Sequence, residues 1–223
     1  MRISTSRTRQ WILAPALCGV LITGCNTSGG GEAAEPEATP AAESTPLAED
    51  QLRPLLLSSA NLGTGYVQVR AETDTGKYND IVVQGCPSLE KLGASGDEVK
   101  FASKATVTFA KDGTATLSEE LHSDRPTVLS SKLRSLFGAY TACRSYTMTA
   151  GTTPIEVKIA KSGTPKLGDE QFAYTSTMEL PSGAQVLKTL AVRKGNVAVM
   201  LVGAPALVDR HIEAAVGKLP ADD

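Results

Sequence analysis

The sequence predicts an α+β fold: a curved, largely antiparallel sheet with helices packed on one face. Three observations predict it. Several short segments alternate apolar and polar residues, which is typical of strands with one buried face. Two longer segments carry apolar residues at helical spacing, and they follow runs of strands rather than alternating with single strands. This order favours helices laid on an antiparallel sheet. Apolar residues on the second face of the strands indicate that the sheet curls.

The first half of the folded region predicts short elements and then a hairpin. Pro87 suits the first turn of a short helix. Asp112-Gly113 is a hairpin turn signal between two alternating segments. The expected elements are a short helix or edge segment at 52–61, a strand at 66–72, a short helix at 86–92, and strands at 99–110 and 114–121.

The longest helix is predicted at about residues 125–143. Asp124 is a suitable N-cap and Pro126 falls in the first turn. The spacing of its apolar residues gives one stripe, and Cys143 ends the helix. The residues of this stripe are Leu129, Leu133, Leu136, Phe137 and Tyr140.

Four further strands and a closing helix complete the predicted fold. The strands are expected at 155–160, 171–180, 184–193 and 196–202. The last of these is apolar on both faces, which indicates a central position in the sheet. Pro205 begins the closing helix, whose apolar face is formed by Val208, Ile212, Ala215 and Leu219.

The N-terminal residues have the pattern of an export signal. Three arginines precede an apolar run of 13 residues at 11–23. A membrane-spanning helix needs about 20 residues, so the run suits a signal peptide better. Its end, Ile22-Thr23-Gly24-Cys25, resembles the bacterial lipobox. The resemblance implies cleavage after Gly24, a signal peptide at 1–24, and acyl chains (diacylglyceryl, palmitate) on Cys25 that anchor the protein to the cell membrane, facing the extracytoplasmic side. The alternative is an ordinary secretory signal that contains a cysteine.

Residues 25–50 predict a disordered tether between the lipidated cysteine and the folded domain. The segment consists of small, proline-containing and acidic sequence, with six carboxylates and no basic residue before Arg53. So little of it can be buried that a folded structure is not expected. A flexible chain of this length reaches about 25–30 Å. We therefore expect a single α+β domain at 51–223, held clear of the membrane.

The cysteines predict one disulfide. Cys18 falls in the apolar run and Cys25 is the anchor, so Cys86 and Cys143 remain as an even pair in an exported protein. A disulfide between them is the simplest expectation in an oxidising compartment, and two free buried thiols are the alternative. The chain has no CxxC or HxxxH spacing, so we predict no metal site and no cofactor.

Several stretches resemble actinobacterial cell-surface lipoproteins that share a domain with the extracytoplasmic sensor of membrane serine/threonine kinases. The stretches are LLLSSANLGTGY, the isolated Cys86, the helix end YTAC and the closing NVAVMLVGAPALVDRHIEAAVGKLP, within residues 55–220. The resemblance implies a curved sheet with helices and a groove for a small ligand, and it brings no catalytic residues. The sequence departs from this family in two respects. That sensor domain typically has two disulfides and a tryptophan in its core, whereas here one cysteine pair is available and Trp11 falls in the signal.

Motifs that could carry catalysis are weak. Ser88 and Lys91 match SxxK, and Lys161-Ser162-Gly163 matches K-[ST]-G, two patterns of penicillin-binding proteins. No serine-x-asparagine motif lies between them, and the large helical subdomain of such enzymes is absent from the sequence. His122 and His211 could act as general bases, but no nucleophile or acid accompanies either. Neighbouring Glu119 and Glu120 would point to opposite faces of a strand, which is poor geometry for a shared site.

Two functional hypotheses remain, and neither is enzymatic. The first is a non-catalytic ligand-binding or sensor-like module that holds a small apolar ligand or docks a cell-envelope protein. The second is a carrier of acyl lipid or glycolipid in the cell envelope. Residues 51–223 contain 19 basic and 18 acidic residues without a basic stripe, which argues against nucleic acid as a partner.

Overall fold

The computed structural model describes residues 44–70, 81–94, 99–113, 115–150 and 152–220. All of them belong to one compact unit, Ala41–Asp223. The predicted signal peptide, the lipidation site Cys25 and the tether as far as residue 43 lie outside the described residues. The predictions about them therefore stay predictions.

In the described part of the chain, nine strands form one sheet in which all neighbouring strands run antiparallel. The order across the sheet is β1-β3-β4-β9-β8-β7-β6-β5-β2. The strands are β1 (Tyr66–Val69), β2 (Ile81–Gln84), β3 (Ser103–Lys111), β4 (Ala115–Ser123), β5 (Ser145–Ala150), β6 (Thr153–Lys161), β7 (Glu170–Leu180), β8 (Gly183–Lys194) and β9 (Val197–Gly203). The helices are α1 (Glu49–Leu52), α2 (Ser59–Leu62), α3 (Pro87–Ala94), α4 (Pro126–Thr141) and α5 (Pro205–Val216), with a 3₁₀ turn at Arg53–Leu55.

The α+β fold class and the curved, antiparallel sheet are confirmed. β9 lies between β4 and β8, the central position predicted from its two apolar faces. Asp112 and Gly113 both adopt positive φ angles, of 50° and 75°, between the paired strands β3 and β4. Positive φ at both residues is what a tight hairpin turn with the right-handed strand twist requires.

The helices divide between the two faces of the sheet instead of all packing on one face as the sequence predicted. Leu190 and Val192 of β8 pack in one cluster with Val208 and Ile212 of α5. Ala191, between them, packs in another cluster with residues of α4. Because successive side chains of a strand point to opposite faces, α5 and α4 cover opposite sides. We call them the α5 face and the α4 face.

The folded part begins earlier in the chain than residue 51. The backbone N–H of Leu47 donates a hydrogen bond of 2.9 Å to Ser123 Oγ, and the amide of Asn196 donates one of 2.5 Å to the carbonyl of Thr45. Leu52 in α1 is completely buried against the α5 face. The acidic composition of residues 44–50 indicated a tether, but these backbone contacts and the single buried leucine hold the segment on the sheet.

Two strands and one cap differ from the prediction. β2 and β5 were not expected, and they pair with each other at the edge of the sheet. Arg125, not Asp124, occupies the N-cap position of α4. The Asp124 carboxylate instead binds Lys132 Nζ at 2.7 Å, because this ammonium group offers a charged partner about two turns further along the helix.

Candidate functional site

The α4 face is built around a helix that lies close to the sheet. Leu129, Leu133 and Phe137 point from α4 onto the strands and are buried. Their main contacts in β8 and β9 are with Ala191 and Ala198, which are fully buried. Small side chains at these two positions allow the helix backbone to approach the sheet. Larger aromatic residues on β7 then stand beside the helix rather than beneath it.

Two cavities flank α4 and meet at Phe137, and together we call them the α4 cleft. The larger, the β7 cavity, has a volume of about 380 Å³ and the smaller, the Tyr140 cavity, about 260 Å³. The β7 cavity is lined by Arg134, Phe137, Gly138, Thr141, Lys161, Ser162, Thr164, Gln171, Phe172 and Ala173. The Tyr140 cavity is lined by Leu136, Phe137, Tyr140, Tyr174, Thr189, Met200 and Val202.

Aromatic rings form the floor of the cleft. The rings of Tyr140 and Tyr174 stack with centroids 5.0 Å apart, and those of Phe137 and Phe172 with centroids 5.3 Å apart. Burial raises the pKa of both tyrosines above the ordinary value, so their phenol groups stay protonated and neutral. The cleft therefore offers flat apolar surfaces together with a few neutral hydroxyl groups.

An ion-pair network fixes α4 at one end of the β7 cavity. Arg193 Nε lies 2.6 Å from Glu170 Oε2, and Arg134 Nε donates to Glu170 Oε1 at 2.8 Å. Ser130 Oγ donates to the same oxygen at 3.0 Å. Burial alone would raise the pKa of Glu170, but its bonds with Arg193 and Arg134 outweigh this and lower the pKa to about 2. The network therefore stays charged at neutral pH and ties α4 to β7 and β8.

The predicted cysteine pair lies next to this cleft. Cys86 and Cys143 form a disulfide in the structure, with their Cα atoms 5.8 Å apart. Cys86 immediately precedes α3 and Cys143 follows the end of α4. The bond thus fastens the C-terminal end of α4, where the β7 cavity opens, to the neighbouring helix.

The two penicillin-binding-protein patterns do not share a cavity. Ser88 and Lys91 line a separate cavity of about 260 Å³ between α3 and α4, together with Ser135. Lys161 and Ser162 line the β7 cavity instead. In that enzyme class the lysine of the second pattern acts beside the nucleophilic serine. The structure does not bring together the parts on which a hydrolase built on Ser88 would depend.

The histidines and the glutamate pair have other surroundings. His122 Nε2 lies 3.1 Å from Glu120 Oε2 on the α4 face, and its ring packs on Phe101. His211 Nε2 hydrogen-bonds Tyr66 Oη at 2.7 Å beneath α5. Glu119 is completely buried on the α5 face, so the two glutamates point to opposite sides of β4, as predicted.

The described part of the chain has neither a cluster of metal ligands nor a helix suited to crossing a membrane. In residues 44–220, apart from the gaps given above, no group of three or more His, Cys, Asp or Glu side chains is arranged to hold a metal ion. Within the same residues, no helix has the length and apolar character needed to cross a membrane.

The fold has a counterpart among extracellular domains of known structure. The counterpart is the extracellular domain of PknH from Mycobacterium tuberculosis, a serine/threonine kinase. The two structures align with a TM-score of 0.56 over 78% of this chain and 97% of the other, at 12% sequence identity. At this identity the likeness shows a shared fold. No family model matches the chain, and no curated protein matches it.

The residues that form the cleft were visible in the sequence only as core residues. Phe137 and Tyr140 belong to the apolar stripe of α4, and Tyr174 to an alternating strand. A stripe predicts which residues face the sheet, but it carries no information on how completely they fill the space there. Only the placement of Ala191 and Ala198 opposite α4 shows that the aromatic rings surround a cavity.

Proposed function

We propose that this protein is a membrane-anchored extracytoplasmic lipoprotein whose folded domain is a non-catalytic, sensor-like module that binds a small ligand in the α4 cleft. Three things support the proposal. The lipobox-like end at Cys25 indicates the anchor. The fold is shared with an extracellular domain. The observation that carries the ligand site is the cleft itself, a pair of cavities in which stacked aromatic rings stand beside polar side chains, and small-molecule sites commonly combine apolar surfaces with a few polar groups that fix orientation.

The size of the cleft favours a small ligand over the second candidate, a carrier of acyl lipid or glycolipid. Ligand sites usually have volumes of about 300–1,000 Å³. The β7 cavity, of about 380 Å³, lies at the lower end of that range, and the Tyr140 cavity, of about 260 Å³, lies just below it. A molecule with one or two rings fits such a space, whereas a lipid with two acyl chains requires one that is much larger.

The cleft can be filled by a substitution that the fold tolerates. Gly138 lies on α4 at the β7 cavity, and a Cβ added there meets no heavy atom within 4 Å. Gly138→Leu therefore introduces a branched side chain into open space and improves helix propensity at the same time. Gly93→Leu in α3 is the matched control, because Gly93 also has open space around its Cβ position and is exposed.

The binding test uses N-phenyl-1-naphthylamine, a neutral probe with a naphthalene and a phenyl ring, whose fluorescence rises in apolar sites. The protein is the chain from Asn26 onward, which keeps every described helix and strand. We expect saturable binding to the parent protein and to Gly93→Leu, and at least about tenfold weaker binding to Gly138→Leu. Equal binding by all three proteins would contradict a ligand site in the α4 cleft.

Native mass spectrometry of the same protein separates the two candidate functions. The proposed module leaves purification without bound lipid. A co-purified lipid of several hundred daltons, displaced by Gly138→Leu, would favour the lipid carrier instead.

The anchor is tested separately. Cys25→Ser in the full chain should move the protein from the membrane fraction to the soluble exported fraction and abolish incorporation of labelled palmitate. Retention of label by the variant would contradict the lipidation of Cys25.

A further inference from the structure

We infer that the ligand of the α4 cleft is a small organic acid, with one anionic group attached to a flat apolar ring. This inference rests on the proposed function, since it concerns the same cleft. It comes from the charges around the β7 cavity and from the cavity that adjoins it. The adjoining cavity, of about 410 Å³, is lined by Thr141, Cys143, Arg144, Ile159, Ala160 and Lys161.

Two cations stand where these cavities join. Thr141 and Lys161 line both of them, so the two spaces are neighbours. Lys161 lies on the α4 face, two residues beyond Ile159, whose side chain packs against the core beneath α4. Arg144 lies three residues after the end of α4 and lines the adjoining cavity. Their positive charges therefore border the space next to the aromatic floor.

These two charges are not neutralised within the described residues. No carboxylate in the described part of the chain forms an ion pair with Lys161 or with Arg144, and neither cavity has an acidic residue in its lining. Arg134, the other basic residue that lines the β7 cavity, is paired with Glu170. The site thus has a surplus of two positive charges from Lys161 and Arg144.

The C-terminus of α4 reduces this surplus without removing it. Unpaired carbonyl groups at a helix end are equivalent to about half a negative charge. Part of the positive charge serves to balance this end of α4, and more than one unit charge remains. An anion at the junction would gain hydrogen bonds from an ammonium and a guanidinium group, and bonds of this kind are roughly twice as strong as neutral ones.

The rest of the ligand is defined by the aromatic floor. The stacked rings of Phe137 and Phe172 line the β7 cavity. A flat ring packs on them at the spacing that aromatic pairs prefer, about 4.5–7 Å between centroids. The polar side chains of Ser162, Thr164 and Gln171 line the same cavity and can bond substituents of that ring. The chemistry of the site therefore matches an aromatic or similarly flat carboxylate or sulfonate.

A matched pair of probes tests this inference. 8-Anilinonaphthalene-1-sulfonate has the same naphthalene and phenyl rings as N-phenyl-1-naphthylamine and differs by one sulfonate group. Both are titrated into the chain from Asn26 onward at low ionic strength. We expect the sulfonate to bind at least about tenfold more tightly, since a hydrogen bond to a charged group contributes enough for a factor of that size. The preference should decrease as salt is added.

Charge-removing variants locate the preference. Lys161→Gln with Arg144→Gln should remove the preference, so that this variant binds the sulfonate no more tightly than it binds the neutral probe. The control is Arg53→Gln with Arg210→Gln, which removes two exposed positive charges from the other side of the sheet. This control variant should still bind the sulfonate more tightly than the neutral probe. Cooperative thermal unfolding of each variant shows that the probes report on folded protein.

The outcomes separate the two proposals. Equal affinity of the parent protein for both probes, or a preference that survives in the Lys161 and Arg144 double variant, overturns the inference and leaves the α4 cleft as a ligand site. Failure of both probes to bind contradicts the proposed function, and the inference falls with it.

Discussion

Replacing Glu119 by glutamine should stabilise the protein, and the gain should appear only as the pH rises. Glu119 is completely buried in β4, and its neighbours in the flanking strands are Val107 and Leu201. Oε2 accepts a hydrogen bond of 2.6 Å from the backbone N–H of Leu57. Oε1 is buried and has no hydrogen-bond partner among the described residues. A charged carboxylate is poorly satisfied in such a place.

Burial raises the pKa of Glu119 from its ordinary 4.5 to about 7, against the opposing effects of the Leu57 hydrogen bond and the charge of Lys218. The folded protein therefore holds a proton that the unfolded chain releases between about pH 4.5 and pH 7. Stability must fall across this interval as the pH rises, and below it the group has no effect. One pKa unit corresponds to about 1.4 kcal/mol, so the full loss above pH 7 is about 3 kcal/mol, as an order of magnitude.

Glutamine imitates the protonated carboxyl group, since it keeps an oxygen for the N–H of Leu57 and carries no charge. Urea unfolding of the parent and of Glu119→Gln at pH 5 and pH 8 measures the effect. We expect the glutamine variant to be more stable by less than about 1 kcal/mol at pH 5 and by about 3 kcal/mol at pH 8. His211, a buried residue of α5, has a pKa lowered by burial and by the charge of Arg210. Its contribution cancels in the difference between the two proteins.

Glu170→Gln is the control for this experiment. The Glu170 carboxylate has a pKa of about 2 and is therefore ionised at both pH values. Its removal should destabilise the protein equally at pH 5 and pH 8, because it leaves Arg134 without its carboxylate partner and Arg193 with Asp169 alone. A stability difference between the parent and Glu119→Gln that does not change with pH would refute the assignment of a buried, protonated Glu119.

Three further substitutions test the packing around the two helices. Replacing Cys86 and Cys143 by alanine opens a loop with a sequence separation of 57 residues. We expect the free energy of unfolding in urea to fall by about 4 kcal/mol. An unchanged midpoint would show that the bond does not constrain the unfolded chain. Gly138→Ala should increase the free energy of unfolding by about 0.5–1 kcal/mol and so raise the melting temperature, because the added Cβ enters open space on a helix. Gly203→Ala should decrease the free energy of unfolding by about 1–3 kcal/mol and so lower the melting temperature, because the added Cβ would lie 2.6 Å from the carbonyl oxygen of Thr116. Equal melting temperatures for these two alanine variants would contradict the packing described at both glycines.

The elements with strong periodicity could be predicted from the sequence. The apolar stripe of α4 and the two apolar faces of β9 each indicate the right element in the right place. The missed strands lack such signals. β2 has four residues, too few to show a period, and β5 follows Cys143 with no glycine or proline to mark the end of the helix.

The sequence of β9 indicates that helices cover both faces of the sheet. A strand that is apolar on both sides, such as β9, needs cover on both sides. The two apolar faces of β9 predict its central position. By the same reasoning they require a helix on each face of the sheet, which the prediction of helices on one face leaves out. The cleft itself gave no comparable signal, because a void depends on the fit of particular side chains. Ala191 and Ala198 look like ordinary strand residues until α4 is placed over them.

The two faces of the sheet differ in how tightly their helices pack on the strands. On the α5 face, the N-terminal segment and α5 bring large aliphatic side chains against β4, β8 and β9, and this cluster is the larger of the two. On the α4 face, small residues beneath the helix leave aromatic rings lining a cleft. The Glu170 network fixes α4 to β7 and β8, and the disulfide fixes its C-terminal end to α3. Because α4 is held at both places without a ligand, the walls of the cleft need little ordering when one binds, and more of the contact energy remains as affinity.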